Sequence, residues 1–331
     1  MDFGITFKGD ISPKRTAALC KQAEVAGFKH GWFFDSHVLW RDCYPNIAMC
    51  MENTDNMIFG PLVTNPGVRE WSVAASLFAT LLEQSGGRLE VAVGRGDSSR
   101  RVLGKKPMTL KKMGEFCNAI RGLVKGDEVE YGETKVQFPW AGKYSLKTWI
   151  AAYGPKALAT AGEFGDGLVI QLADPNLIKW FYEQAQTARK AAGKPKKGFT
   201  LMSAAPVWVG DMEKAREQTR WFPAMVGNHV ADIVSKYGMG TDLVPDYFTK
   251  YIEGRKGYDY KEHADKDAAH LDFISDDVID AFGILGSVDD HIKKLKELEK
   301  AGVTQFNIYL MCSEEERIVA EYGEHIIPEF Q

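Results

Sequence analysis

The sequence is short of the features that mark a membrane, secreted or metal-held protein. No run approaches the roughly 18 consecutive apolar residues of a spanning helix, and the opening MDFGITFKGD lacks a basic region followed by an apolar one. A cytoplasmic protein with no membrane partner is expected. The five cysteines (Cys20, Cys43, Cys50, Cys117 and Cys312) show no CxxC spacing, and an odd count without an export signal predicts reduced thiols. None of the seven histidines forms an HxxxH or HExxH pair, so no metal site is expected. A surplus of one charge is missing too: the formal net charge of -4 gives no electrostatic reason to expect a nucleic-acid partner.

What is present is an ordinary globular composition, 45% apolar and 26% charged over 331 residues, enough for a large core. No internal repeat, low-complexity segment or second domain boundary interrupts it, so residues 1–331 read as a single domain. The organising signal is an alternation of β-prone runs with amphipathic stretches. Strands are predicted at residues 3–7, 30–35, 57–63, 89–93, 147–152, 167–172, 200–209 and 303–310. Helices are predicted at about 12–26, 46–51, 71–83, 109–125, 155–163, 175–191 and 288–301, with a short ribbon around 128–140. Such a repeat predicts an α/β fold, a (β/α)8 TIM barrel, with a doubly wound sheet as the competitor.

The alternation breaks between strands seven and eight. There the stretch from about 210 to 303, rich in Trp, Tyr, Asp and Lys, stands where a barrel needs one helix. A connection this long is expected to carry structure of its own. Extra helices are predicted at 212–235 and 245–252 and an exposed loop at 253–269, within a long helical insertion spanning 210–280.

Loops that follow the strands of such a barrel share one mouth. In order they bring Asp35-Ser36-His37, Val63-Thr64-Asn65-Pro66, Gly94-Arg95-Gly96-Asp97-Ser98, Tyr153-Gly154-Pro155-Lys156 and Gln171 to one rim, a polar, glycine-rich site of cofactor size. Each string also has a plainer reading. GRGDSS serves as a strand-to-helix turn whose glycines take positive φ, and it lacks the third glycine of a dinucleotide fingerprint. YGPK is an ordinary helix start, or else an anion site in which Gly154 admits a ligand close to the backbone, Pro155 opens the helix and Lys156 supplements its free N–H groups. His37 is structural or, at the mouth, a group that gives or takes a proton near neutrality. Trp40 is core or a stacking wall for a planar ring in the substrate pocket. His229, His263, His270, His291 and His325 are given no chemistry.

The strings FGITF, FFDSH, FGPLVTNP followed by AASLFATLLEQSGGRLEVAVGRGD, AAYGPKALATAGEFGDGLVIQL and the closing GILGSVDDHIKKLKELEKAGVTQFNIYL resemble the bacterial luciferase-like superfamily of flavin- and deazaflavin-dependent oxidoreductases. The first half is most similar to the methylenetetrahydromethanopterin reductase branch; only 210–280 is unmatched. The resemblance implies a barrel binding FMN or the deazaflavin coenzyme F420 at its mouth. It also implies a non-prolyl cis peptide at Leu62–Val63 against the cofactor's central ring, with Thr64 and Asn65 on the same rim. Gly94, Gly96 and Asp97 would border the ribityl chain and ring edge, the Gly154 helix start would hold the phosphate, and His37 would stand beside the ring or substrate.

A bound planar ring accepts or delivers hydride, while the barrel stacks it and places a small-molecule substrate opposite. The first expectation is a monooxygenase using reduced FMN and O2, with a separate flavin reductase as partner. The alternative is an F420-dependent, hydride-transferring reductase. A third reading is a non-catalytic binding subunit of a related enzyme. A homodimer is expected, as in relatives.

Overall fold

The computed structural model describes residues 1–238 and 274–331; the expected helix at 245–252, the expected loop at 253–269, His263 and His270 lie outside the described residues. The strands are β1 (Asp2–Phe7), β2 (His30–Phe33), β3 (Ile58–Pro61), β4 (Glu90–Val93), β5 (Val129–Tyr131), β6 (Thr134–Val136), β7 (Lys147–Ala151), β8 (Gly167–Ile170), β9 (Thr200–Ala205), β10 (Val207–Val209), β11 (Ile284–Gly286) and β12 (Gln305–Tyr309). The helices are α1 (Pro13–Val25), α2 (Cys43–Glu52), α3 (Trp71–Ser85), α4 (Asp97–Arg101), α5 (Leu110–Val124), α6 (Pro155–Phe164), α7 (Pro175–Ala191), α8 (Met212–Thr219), α9 (Trp221–Tyr237), α10 (Asp276–Phe282), α11 (Val288–Lys300) and α12 (Glu315–Glu321).

Eight parallel strands form one sheet in the order β3-β2-β1-β12-β9-β8-β7-β4. Its two end strands meet: the Phe59 N–H donates to the Arg88 carbonyl at 3.0 Å and the Thr64 N–H to the Ala92 carbonyl at 2.9 Å, which closes the barrel. Gly60 permits that approach, since a Cβ there would lie 1.8 Å from the Glu90 carbonyl oxygen. Closure rules out the doubly wound alternative. The strands are apolar on both faces because side chains fill the interior on one side and helices cover the other; Trp32, Phe59 and Trp149 are all but fully buried.

Helix ends follow local chemistry. The Ser12 hydroxyl accepts from the Arg15 N–H at the start of α1, with Pro13 in the first turn. Asp174 does the same for α7 ahead of Pro175, and Ser287 with Asp290 forms a capping box on α11.

Four features depart from expectation. The expected seventh strand at 200–209 is two strands, because Pro206 has no N–H for the ladder; β9 stays in the barrel, while β10 pairs in parallel with β11 outside it. The helix expected at 212–235 is α8 and α9, broken at Arg220. The short helices α4 and α10 were not anticipated. Neither was the C-terminal α12, which docks on α1 through Arg15 and Glu315 at 3.0 Å. Among the described residues no helix is long and apolar enough to cross a membrane.

Candidate active site

The rims expected to converge do so around one cleft at the C-terminal ends of the barrel strands. Phe34, Asp35 and Ser36 contribute after β2, Leu62 and Val63 after β3, Gly94 to Ser99 after β4, and Ala151 to Gly154 with Ala157 after β7; Gln171 adds to the lining after β8. The Leu62–Val63 peptide is cis, as the resemblance implies. Gly94 keeps this side thin: a Cβ there would stand 2.6 Å from Cγ2 of Val63.

Beneath the lining lies a buried polar brace. Asp35 accepts from the Thr64 hydroxyl at 2.7 Å, the Tyr44 hydroxyl at 3.3 Å and the Arg69 guanidinium at 2.8 and 3.0 Å. Burial pulls the Arg69 pKa down, but the charge of Asp35 and the hydrogen bonds around it carry it above the ordinary value, so the guanidinium stays charged. Thr64 and Asn65 therefore work behind the cleft and are absent from its lining. The Asn65 side chain donates to the Ser99 hydroxyl at 3.0 Å and accepts from the Gly67 N–H at 3.0 Å, tying the β3 rim to α4. Ser36 and Ser98 join the next two rims through their hydroxyls at 2.7 Å.

Tyr153 and Gln171 are joined. The Gln171 N–H donates to the Tyr153 hydroxyl at 3.0 Å, and the Gln171 side-chain amide donates to the Tyr309 hydroxyl at 2.6 Å. Burial pushes the Tyr153 phenol well above its ordinary pKa, so it stays a neutral hydroxyl.

Helix α6 starts at Gly154 with no side chain capping it, so its first free N–H groups remain open to an anion. Pro155 and Lys156 stand outside the lining, and Lys156 is exposed. Gly154 has a reason the sequence did not show: a Cβ there would come within 3.3 Å of Ile233 on α9. His37 is exposed on the rim outside the lining, and Trp40 packs its ring 5.4 Å from that of Phe34.

Helix α9 supplies what sequence reasoning missed. Met225, His229, Asp232 and Ile233, spaced along one helical face, form a wall of the cleft. His229 stacks on Tyr153 at 4.9 Å between ring centroids and faces Asp97 at 3.8 Å, while Arg101 bridges Asp97 at 3.1 Å and Asp232 at 2.6 Å. The only sequence signal was that face's spacing, and nothing local told where the helix docks.

A family model described as luciferase-like monooxygenase matches residues 1–305. A 5,10-methylenetetrahydromethanopterin reductase of Archaeoglobus fulgidus is 31% identical over 315 residues, 92% of this chain and 92% of the relative. An F420-dependent glucose-6-phosphate dehydrogenase of Nakamurella multipartita is 25% identical, covering 96% of this chain and 93% of its own. Among solved structures, the coenzyme F420 dependent tetrahydromethanopterin reductase from Methanopyrus kandleri superposes with a TM-score of 0.80 at 24% identity, over 100% of this chain and 99% of that one.

Proposed function

Because the chain belongs to the luciferase-like monooxygenase family, and is an oxidoreductase of that kind, we propose that it transfers hydride between coenzyme F420 and a small organic substrate. The observation that carries the reading is the meeting, on one cleft, of the Leu62–Val63 floor, the thin Gly94 and Gly96 wall and the uncapped start of α6. Those features suit a flat ring with a phosphate tail. What supports F420 over FMN is that relatives matching nearly the whole chain are methylenetetrahydromethanopterin reductases or carry F420-dependence in their names. The first expectation, a monooxygenase on reduced FMN with a flavin reductase as partner, accordingly takes second place.

When bound, the deazaflavin supplies or accepts a hydride at one face of its central ring. The chain's residues do the rest. Leu62 and Val63 offer an apolar floor, Gly94 and Gly96 leave room at the ring edge, and the first turn of α6 holds the phosphate. Tyr153 and Gln171, fixed by Tyr309, orient the far wall. His37, exposed on the rim, meets substrate and moves its proton. A homodimer belongs to the proposal, and sedimentation tests it.

Titrating the purified protein with F420, FMN and FAD, read by fluorescence quenching, tests the reading. Saturable binding of F420 with weak or no binding of FMN is expected. The reverse preference would return the oxygenase to first place.

A further inference from the structure

Between Arg95 and Lys112 the chain carries seven Lys and Arg against a single Asp, in a protein whose formal net charge is -4. Most of this charge is held in a built structure next to the cleft. Arg95 lines the cleft, and its Nε donates to the Met108 carbonyl at 2.7 Å while the Met108 N–H donates back to the Arg95 carbonyl at 2.8 Å. Arg100 donates from Nε to the Lys106 carbonyl at 2.8 Å and from Nη1 to the Gly67 carbonyl at 2.9 Å; its own carbonyl accepts from the Lys105 N–H at 3.0 Å. Two arginines thus fold the segment after α4 back onto the β4 rim, and that segment carries the exposed Lys105 and Lys106.

These groups differ in what they have left to offer. Arg101 is committed to Asp97 and Asp232. Among the described residues Arg95, Lys105 and Lys106 form no ion pair with a carboxylate. The carboxylates that share the lining are taken up elsewhere, Asp35 by Arg69 and Asp97 and Asp232 by Arg101, so Arg95, backed by two exposed lysines on a fixed loop, is the lining's uncommitted charge and selects anions.

We propose that Arg95, Lys105 and Lys106 form an anion-binding wall at the cleft mouth that takes the anionic groups of a tail on the bound molecule, its carboxylates or, shared with the first turn of α6, its phosphate. The wall extends the proposed F420 site, and it rests on that reading for the choice of probe. The exposed lysines act by screened attraction, so the effect is moderate and falls with salt.

The test compares wild type with the K105E/K106E double variant, whose substitutions lie on the surface and leave the fold intact. Each is titrated at low and high salt with F420 carrying its oligoglutamyl tail and with its tail-free, phosphate-free chromophore. The expected result is a roughly tenfold weaker Kd for the tailed form at low salt, a flatter salt dependence, and an unchanged Kd for the bare chromophore. Equal loss for both forms, or none for either, overturns the wall. If wild type binds FMN and not F420, the functional reading fails and the wall is judged by FMN against riboflavin, with loss confined to FMN supporting phosphate as the anion. If no chromophore binds, titration with γ-linked triglutamate followed by NMR decides: shifts at Arg95, Lys105 and Lys106 support the wall, and their absence ends it.

Discussion

Asp35 and Arg69 meet at 2.8 and 3.0 Å under the cleft, with the Asp35 side chain only 1% exposed. Arg69 also reaches Asp42 at 2.6 Å, and Asp42 in turn caps α2 by accepting from the Tyr44 N–H. One guanidinium thereby fixes the β2 rim to the helix that follows it. Removing one partner of a buried pair strands the other charge, which typically costs about 3–5 kcal/mol. Arg69→Ala should lower unfolding stability by that order in a denaturant titration. Asp35→Asn should cost less, since the amide oxygen still accepts from Thr64 and Tyr44. Adding Asp35→Asn to the Arg69 variant should recover part of the loss, and no recovery would show that the charge is not what matters.

Two histidines make the fold sensitive to acid. Burial brings His30 from its ordinary 6.5 to about 4, and it brings His291 down to about 4 as well. In neutral His291, Nε2 donates to the Trp208 carbonyl at 3.1 Å and Nδ1 accepts from the Tyr322 hydroxyl at 2.8 Å, so a second proton must both charge a buried ring and turn that hydroxyl round to accept. Between pH 6.5 and 4 the unfolded chain binds these protons and the folded chain does not. Stability is therefore full above the unfolded pKa and falls as pH drops through that window. The loss is on the order of 3 kcal/mol per histidine at the lower end. Thermal melts across pH 4 to 7 check the slope, and His291→Gln should remove about half of it.

The barrel itself was legible in the sequence because parallel strands buried on both faces alternate with amphipathic helices whose caps are local. The helix at Pro175–Ala191 coincides with its expectation. The orientation of side chains just past a strand was not legible. Thr64 and Asn65 follow Val63 directly, yet they brace the cleft from behind while Val63 lines it, because backbone geometry at the rim decides the facing. The wall from α9 escaped for a different reason: the docking of His229 on Tyr153 is a contact between residues far apart in the chain, and nothing in WFPAMVGNHVADIVSKY encodes its partner.

His37 is exposed and makes no structural demand that its removal would violate. His37→Ala should leave stability within about 0.5 kcal/mol. Turnover should fall while cofactor affinity holds. Unchanged turnover would take His37 out of the chemistry.

Tyr309 reports on the Gln171 wall. Its buried hydroxyl accepts from the Gln171 amide at 2.6 Å, and burial pushes its pKa up, so it remains a neutral partner. Tyr309→Phe leaves that amide short of an acceptor, at a cost of about 1–3 kcal/mol. Because Gln171 lines the cleft, cofactor affinity should drop alongside the melting temperature. A loss of stability with affinity intact would mean that Gln171 does not touch the ligand.

Gly96 joins fold and site most directly. Its φ is +81°, a left-handed conformation that side chains resist, and a Cβ there would lie 2.6 Å from Cγ of Asn65. Gly96→Ala thus carries both backbone strain and a clash with the residue that holds Ser99 and Gly67, together about 1–3 kcal/mol. The clash also pushes the β4 rim away from β3, so affinity for the cofactor should fall with stability. Asn65→Ala removes the obstacle but keeps the strained backbone. In a double-mutant cycle the Gly96→Ala, Asn65→Ala pair should cost less than the two single substitutions added, by the share that the clash contributes. Strict additivity would mean that the glycine is required for its dihedral alone and that Asn65 acts only through Ser99 and Gly67.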